Sequence, residues 1–402
     1  MRFSKQLSAL FFFLFFYSAS LYATGKTYTS TSFFVVAHED DWQLFMGKHA
    51  MDMVGQDGKK LVFIYVTAGD AGAGRNKRDR GRIPYFIARE NGAMRSTEYL
   101  CNGITDSTED WNGTVNLNAH ILTVVRRKNT VSYYLRLPDG GLHAEGRYAL
   151  KKLLKGDLAS LESVDGINTY TSWKDLVSTI REIIKAEAAD TKGKVEMNIP
   201  DISSKRNQKD HVDHYLAGAL ALSATRDYCY DNILFNGYNV VNQNPQLKPA
   251  DIAFKQGLLS NIGIELRRAG YPDCQDKGHI AFTENEFSLS EPNICTSSDP
   301  AVMYVRQNGL RYEDKEEADN PPVLIYPNPA TSIIHIPLTG KPGSTFNGSI
   351  LDTGGKIFSS FTTTLANARQ EVTADVEQLP SGIYFLLIES PDGKSSARFV
   401  KQ

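Results

Sequence analysis

The stretch Ser32-Phe33-Phe34-Val35-Val36-Ala37-His38-Glu39-Asp40-Asp41-Trp42 changes character in its middle. Phe33 to Val36 is an unbroken apolar run, the pattern of a strand covered on both faces, as in a parallel sheet. The next turn of chain holds one imidazole and three carboxylates. In open α/β sheets ligands bind beyond the carboxyl ends of the strands, which is where His38 to Asp41 fall.

Working outward, the chain alternates. Trp42, Phe45, Met46, Met53 and Val54 have helical spacing, and Leu61-Val62-Phe63-Ile64-Tyr65-Val66 is a second buried strand. A helix is expected from Tyr85 to Leu100. Trp173, Leu176, Val177, Ile180, Ile183 and Ile184 form one apolar helical stripe. His211 to Thr225 reads as a further helix and Asn232-Ile233-Leu234-Phe235 as a further strand. Strands alternating with helices predict an α/β fold: a doubly wound, mostly parallel, Rossmann-like sheet. Residues 112–166 interrupt the pattern. Leu122 to Val125 and Val131 to Leu137 read there as short strands of an inserted hairpin near the site.

Glu313 to Asn320 is acidic and polar and runs into Pro321-Pro322, the composition of a linker. Beyond it lie short strands at Ser332–Ile336, Ser349–Leu351, Lys356–Phe361, Val372–Val376 and Ile383–Ile388, the texture of a small all-β sandwich. At the other end, a cationic start (Arg2, Lys5), an apolar run from Leu7 to Tyr17 and small residues up to Ala23 have the form of a secretory signal too short to span a bilayer. The expected organisation is a signal peptide at 1–23, an α/β domain at 24–318 and a β-sandwich at 319–402.

The 402 residues are 41% hydrophobic and 22% charged, with a formal net charge of −2, which gives no basis for a nucleic-acid or anionic-membrane partner. No other segment is apolar and long enough to span a membrane. The four cysteines, Cys101, Cys229, Cys274 and Cys295, fit no metal motif. Cys274 with Cys295 is the expected disulfide, because the intervening loop is short and rich in turn residues; buried free thiols are the alternative.

Asp210-His211-Val212-Asp213-His214 is the second chemistry-bearing string. His38 and Asp41 are three residues apart at a strand-to-helix junction, so both point the same way, while Asp40 points differently. His211 and His214 are also three apart, on one helix face. Imidazole and carboxylate are ligands for a zinc-like ion, and a further carboxylate beside such an ion is the base that metal-assisted hydrolysis needs. Asp210 suits a helix cap, and Asp213 suits a partner that orients an imidazole.

The two strings resemble those of the PIG-L/LmbE family of zinc-dependent N-acetylglucosaminyl deacetylases. Members carry an AHPDDE-like string after the first strand and HxDH at a later helix, and Val66-Thr67-Ala68-Gly69-Asp70-Ala71-Gly72 is similar to the family's glycine-containing loop. The resemblance covers residues 32 to about 235. It implies that His38, Asp41 and His214 bind zinc and that Asp40 is the general base. It also implies that His211 stabilises the oxyanion or protonates the leaving amine, oriented by Asp213. The chain departs from the family at Glu39, where a proline is usual, and at Trp42, where a glutamate is usual. Both are candidates for shaping substrate choice, although packing of the first helix explains Trp42 as well.

Other features have plainer readings. Gly69 to Gly74 does not match the dinucleotide fingerprint and reads as a loop bordering the site. The basic run Arg75, Lys77, Arg78, Arg80, Arg82 is a solvated loop or a substrate-contacting lid, with Arg75 and Arg82 as the candidate contacts. Arg89-Glu90 reads as a structural ion pair. His49, His120, His143, His279 and His335 receive no role.

Tyr326-Pro327-Asn328-Pro329-Ala330-Thr331, Asp352-Thr353-Gly354-Gly355-Lys356 and Leu379-Pro380-Ser381-Gly382-Ile383-Tyr384 resemble the C-terminal sorting domain of the type IX secretion system of Bacteroidetes. This implies engagement with that machinery, export across the outer membrane, and release or attachment at the cell surface. The expected protein is a secreted zinc-dependent deacetylase of N-acetylated amino sugars or glycoconjugates, with other divalent ions open. Alternatives are an amidase for another N-acyl group and a non-catalytic glycan-binding protein.

Overall fold

The computed structural model describes residues 26–70, 81–104, 110–141, 146–147, 149–243, 246–291, 325–352, 356–390 and 393–402. The expected signal peptide, the Pro321-Pro322 linker and Arg75 lie outside them. The chain divides into two compact units, Met1–Arg311 and Tyr312–Gln402.

The first unit is built on one eight-stranded sheet in the order β10-β9-β8-β1-β2-β5-β4-β3. Its first strand, β1 (Tyr28–Val36), is followed by two short helices, α1 (Asp41–Phe45) and α2 (Gly47–Val54), and by β2 (Lys59–Thr67). A long helix, α3 (Tyr85–Leu100), leads to β3 (Trp111–Leu117), β4 (His120–Arg127) and β5 (Thr130–Leu137). Next come α4 (Leu150–Lys155), the two-residue pair β6 (Leu161–Glu162) and β7 (Thr169–Tyr170), α5 (Trp173–Ala188), β8 (Thr191–Pro200), α6 (Val212–Thr225) and β9 (Asp231–Phe235). The unit closes with α7 (Pro249–Ala269), α8 (Lys277–Thr283) and β10 (Ser288–Glu291).

β1 pairs in parallel with both β2 and β8, β2 pairs in parallel with β5, and β8 with β9. The edges β3, β4 and β10 are antiparallel, so the sheet is mixed. Helices cover both faces. Phe34, Val36, Phe63 and Tyr65 pack in one cluster with residues of α1, α2, α3 and α7. The alternate side chains, Phe33, Val35, Val62 and Ile64, are equally buried, and α5 and α6 pack against β1 on that side.

Four features depart from what the sequence leads one to expect. The helix expected from Trp42 to Val54 breaks at Met46, where φ is −133°, giving α1 and α2. Residues 112–166 are no inserted hairpin beside the sheet: β5 is an inner parallel strand, and β3 and β4 extend the sheet from it. β8 carries no apolar run. Its first residues are Thr191, Lys192, Gly193 and Lys194, and burial begins only at Glu196. Cys274 is a buried free thiol in the α7 core cluster, its Sγ 3.8 Å from the Leu259 carbonyl, so the expected bridge to Cys295 is not formed; Cys229 is the residue held in a disulfide.

In the second unit β11 (Ile333–Thr339) pairs antiparallel with β14 (Arg369–Asp375). A second antiparallel sheet runs β13 (Ile357–Thr364), β12 (Thr345–Asp352), β15 (Gly382–Ser390), β16 (Gly393–Lys401). Ile334, Ile336, Ile350, Leu386 and Phe399 form its core.

Trp42 shows how the site's own string is tied to the core. Its ring packs on Phe63 with centroids 4.6 Å apart, and its Nε1–H donates to the Tyr65 hydroxyl at 2.7 Å. The side chain is fully buried and does not line the cavity beside it, which makes packing its role. Trp42→Ala is expected to destabilise the unit by about 3–5 kcal/mol in chemical denaturation, because it empties a large core volume and removes the indole donor to the Tyr65 hydroxyl. An effect below about 1 kcal/mol would contradict this packing role.

Candidate metal centre

The candidate residues sit where β1 meets its two parallel neighbours. β2 lies on one side of β1 and β8 on the other, so the chain leaving β1 faces the chain leaving β8. Such a crevice beyond the strand ends is a natural ligand site. Here it is a cavity of about 850 Å³, with His38, Asp41, Asp139 and His211 among the residues at its base and Tyr85, Tyr238 and Tyr271 along its walls.

His38 leaves the end of β1, and Asp41 opens α1. The His38 N–H donates to Asp41 Oδ2 at 2.8 Å, closing a tight turn that points both side chains inward. The other carboxylate oxygen, Asp41 Oδ1, lies 3.2 Å from His38 Nδ1 and 3.1 Å from His214 Nε2. The two nitrogens are 3.3 Å apart. These three atoms form a nearly equilateral triangle. A tetrahedron with bonds of about 2.0–2.1 Å, the zinc values for nitrogen and oxygen, has edges of about 3.3–3.4 Å. All three residues are buried. The donor set and its spacing therefore fit a divalent ion with three protein ligands, and His38, Asp41 and His214 form one of the buried groups that can hold a metal.

Of these three residues, His214 is braced from behind. His214 Nδ1 meets Asp210 Oδ1 at 2.8 Å, and Asp210 itself accepts from Asn207 Nδ2 and from the Tyr238 N–H. Gly237 makes room for this: a Cβ there would lie 2.2 Å from Asp210 Oδ2. Asp210 is thus a support for His214 and not the expected helix cap. The cap of α6 is His211, whose Nδ1 accepts from the Asp213 N–H at 3.1 Å. That contact leaves the proton on Nε2, which faces the cavity. The Asp213 carboxylate does not touch His211 in a hydrogen bond; its Oδ2 accepts from Gly140 N–H at 2.8 Å. Asp213 orients His211 through its main chain.

Asp40 points the other way from Asp41, as the junction geometry predicts. Its Oδ1 accepts from Arg89 at 2.6 Å, and the same guanidinium donates to Glu39 at 3.1 Å. Glu39 is buried away from the cavity lining, and burial pushes it up to about 8 against the pull of Arg89. Gly69, with φ +53°, permits this crossing, because a Cβ would lie 2.4 Å from Glu39 Oε2. Arg89 and Glu90 are not paired with each other: Glu90 accepts two bonds from Arg136 at 2.6 and 2.7 Å. Arg82 is exposed and outside the cavity lining.

Two residues of the centre escaped the sequence reading. Asp139 follows β5, with its carboxylate 3.5 Å from His38 Nε2 and 3.8 Å from His211 Nε2. The signal was present in Leu137-Pro138-Asp139-Gly140-Gly141, an acidic residue and a glycine turn directly after an apolar run, but β5 had to be recognised as a parallel strand first. Tyr238 stacks on Phe282 and stands edge-on to His214, centroids 5.0 and 5.3 Å away.

Residues 324–402 match the family described as the secretion system C-terminal sorting domain. No curated protein matches the chain. The sorting domain marks the protein for type IX secretion, the export route of Bacteroidetes, and for contact with that machinery. Among the described residues no helix is long and apolar enough to cross a membrane.

Without an ion the centre holds protons in its place. Burial lowers the His38 pKa, but Asp41 and Asp139 outweigh it and raise the group to about 9; Asp210 and Asp41 likewise raise His214 well above its usual value. Raised imidazoles are protonated at neutral pH, so metal uptake must displace protons and affinity must climb as pH rises towards about 9. Calorimetry in buffers of different ionisation enthalpy should show at least one proton released per ion at pH 7. Uptake with no proton release would contradict the assignment of His38 and His214.

Proposed function

We propose that the first unit is a zinc-dependent N-deacetylase acting on N-acetylated amino sugars or glycoconjugates outside the cell. The observation that carries this reading is the triangle of His38 Nδ1, Asp41 Oδ1 and His214 Nε2, at tetrahedral spacing, with Asp40 beside it on the cavity wall. The finer fold description, a doubly wound LmbE-like domain, belongs to the same proposal. It is supported by the central parallel strands, the helices on both faces and the site between β1 and β8.

A bound divalent ion would supply Lewis acidity and an acidified water at its open position. The rest falls to the side chains. Asp40, held by Arg89, takes a proton from the attacking water. His211, with its Nδ1 engaged by the Asp213 N–H, offers Nε2–H to the oxygen of the amide as negative charge develops there. The proton that Asp40 took from the water passes to the departing amine as the C–N bond breaks. Glu39 and Trp42, the departures from the family pattern, are absent from the cavity lining, so they bear on the scaffold and give no reason to favour another acyl group.

The test uses the full-length exported protein with N-acetylated sugars, following acetate. Release should stop on chelation and return with zinc. Asp40→Asn should lower kcat about 100- to 10,000-fold while zinc binding persists. Bound zinc with no acetate from any such sugar, or an Asp40→Asn variant as fast as the wild type, would overturn the reading.

A further inference from the structure

We propose that Asp139 is a positioning residue of the metal centre: its carboxylate holds the Nε2 side of His38 so that Nδ1 faces the ion with Asp41 and His214. This rests on the metal-centre reading above and goes beyond it, because Asp139 lies in neither of the two strings that resemble the family.

His38 is the one ligand shared by everything at the site. Its Nδ1 belongs to the triangle with Asp41 and His214. Its Nε2 is buried with no hydrogen-bond partner, and Asp139 Oδ2 is its ionic neighbour at 3.5 Å. A ligating imidazole ordinarily donates its second N–H to a carboxylate or carbonyl, which settles tautomer and ring angle. His214 already has that arrangement with Asp210 at 2.8 Å. Asp139 completes it for His38.

The carboxylate is itself placed with unusual care for a residue in a connecting segment. Its Oδ1 accepts from the Gly141 N–H at 2.7 Å, and its own N–H donates to Asp70 Oδ1 at 2.8 Å. The next N–H, of Gly140, donates to Asp213 Oδ2 at 2.8 Å. The strand leading to it breaks register between Tyr65 and Thr67 of β2, where Arg136 adopts φ +59° and is anchored by Glu90 and Asp165. A bulge of this kind re-aims the chain beyond it. Here it aims Asp139 at His38.

The same atoms admit a rival. His38, Asp139, His211 and Asp213 also lie close enough to surround an ion of their own. Filled together with the Asp41–His214 group, that site would need His38 as a ligand through both nitrogens at once, with its last N–H removed. One nitrogen towards the ion and an N–H towards Asp139 requires no such deprotonation.

The experiment is a zinc titration of the full-length protein against a chromophoric chelator, comparing wild type with Asp139→Asn. The expected result is one ion per chain in both, bound about 10- to 100-fold more weakly by the variant. The visible spectrum of the cobalt-loaded variant should shift, and the thermal transition of the metal-free protein should not. Asp175→Asn, at the remote His120 pair, should bind as wild type does. Should Asp139→Asn fail to fold, nitrogen-15 histidine spectra of the zinc-loaded wild type must show His38 protonated at Nε2. Unchanged zinc affinity, an unprotonated Nε2, or two ions per chain falling to one in the variant would each overturn the proposal. A wild type that takes up no ion overturns it together with the proposed function. A chain that binds zinc in an Asp139-dependent way but releases no acetate upholds it and removes only the deacetylase reading.

Discussion

Three donor atoms from two distant parts of the chain must meet within little more than 3 Å, and the first unit is arranged around that requirement. His38 and His214 are 176 residues apart, yet their nitrogens are 3.3 Å apart. Parallel pairing of β1 with β8 achieves this, since it sets the two carboxyl ends side by side. The turn from His38 to Asp41 and the helix that His211 caps then bring His38, Asp41 and His214 to one point. β2 is buried throughout and β1 and β8 are buried over their C-terminal halves, which gives these turns a rigid base, as a centre with sub-ångström tolerances needs.

Charge is the second constraint. Asp40, Asp41, Asp139, Asp210 and Asp213 all lie buried around one crevice, with Glu39 behind them. Burying that many carboxylates without compensation is costly. Arg89 neutralises Asp40, burial keeps Glu39 mostly protonated at neutral pH by pushing it up to about 8, and main-chain N–H groups satisfy others. The remainder is balanced by protons on imidazoles or, in the reading proposed here, by a divalent cation. That accounts for two histidine groups with opposite character. His38 and His214, each facing a carboxylate at close range, are pushed up, while His211 is brought down to about 3 by burial and by its neighbours His38 and His214.

Much of this was legible in the sequence, and the exceptions have physical causes. Strands β1 and β2 announce themselves as apolar runs because both faces are covered. β8 does not, because its first half is solvent-facing and its buried half carries Glu196 and Asn198 in polar contacts. Without β8 the link between the two strings had to come from a resemblance instead of from topology. β5 was visible as a strand but was assigned to an excursion, since β3 and β4 precede it as an antiparallel meander. That misplacement hid Asp139, whose side chain matters only once β5 is known to end beside β1. At the site, spacing alone foresaw that Asp40 and Asp41 diverge. It did not foresee that His211 is its own helix cap, because capping by an imidazole nitrogen leaves no distinctive residue pattern. In the second unit the recurring Pro-Asn-Pro and Pro-Ser-Gly turns made the sorting tail readable, and the match over residues 324–402 agrees with it.

His38, Asp41 and His214 are proposed to enclose one divalent ion. X-ray absorption at the zinc edge of the purified, zinc-loaded full-length protein tests it most directly. Four light-atom neighbours at about 2.0–2.1 Å are expected, with the outer-shell signature of two imidazoles that drops to one in His214→Ala. Sulfur neighbours at about 2.3 Å, or a spectrum unchanged by His214→Ala, would contradict it.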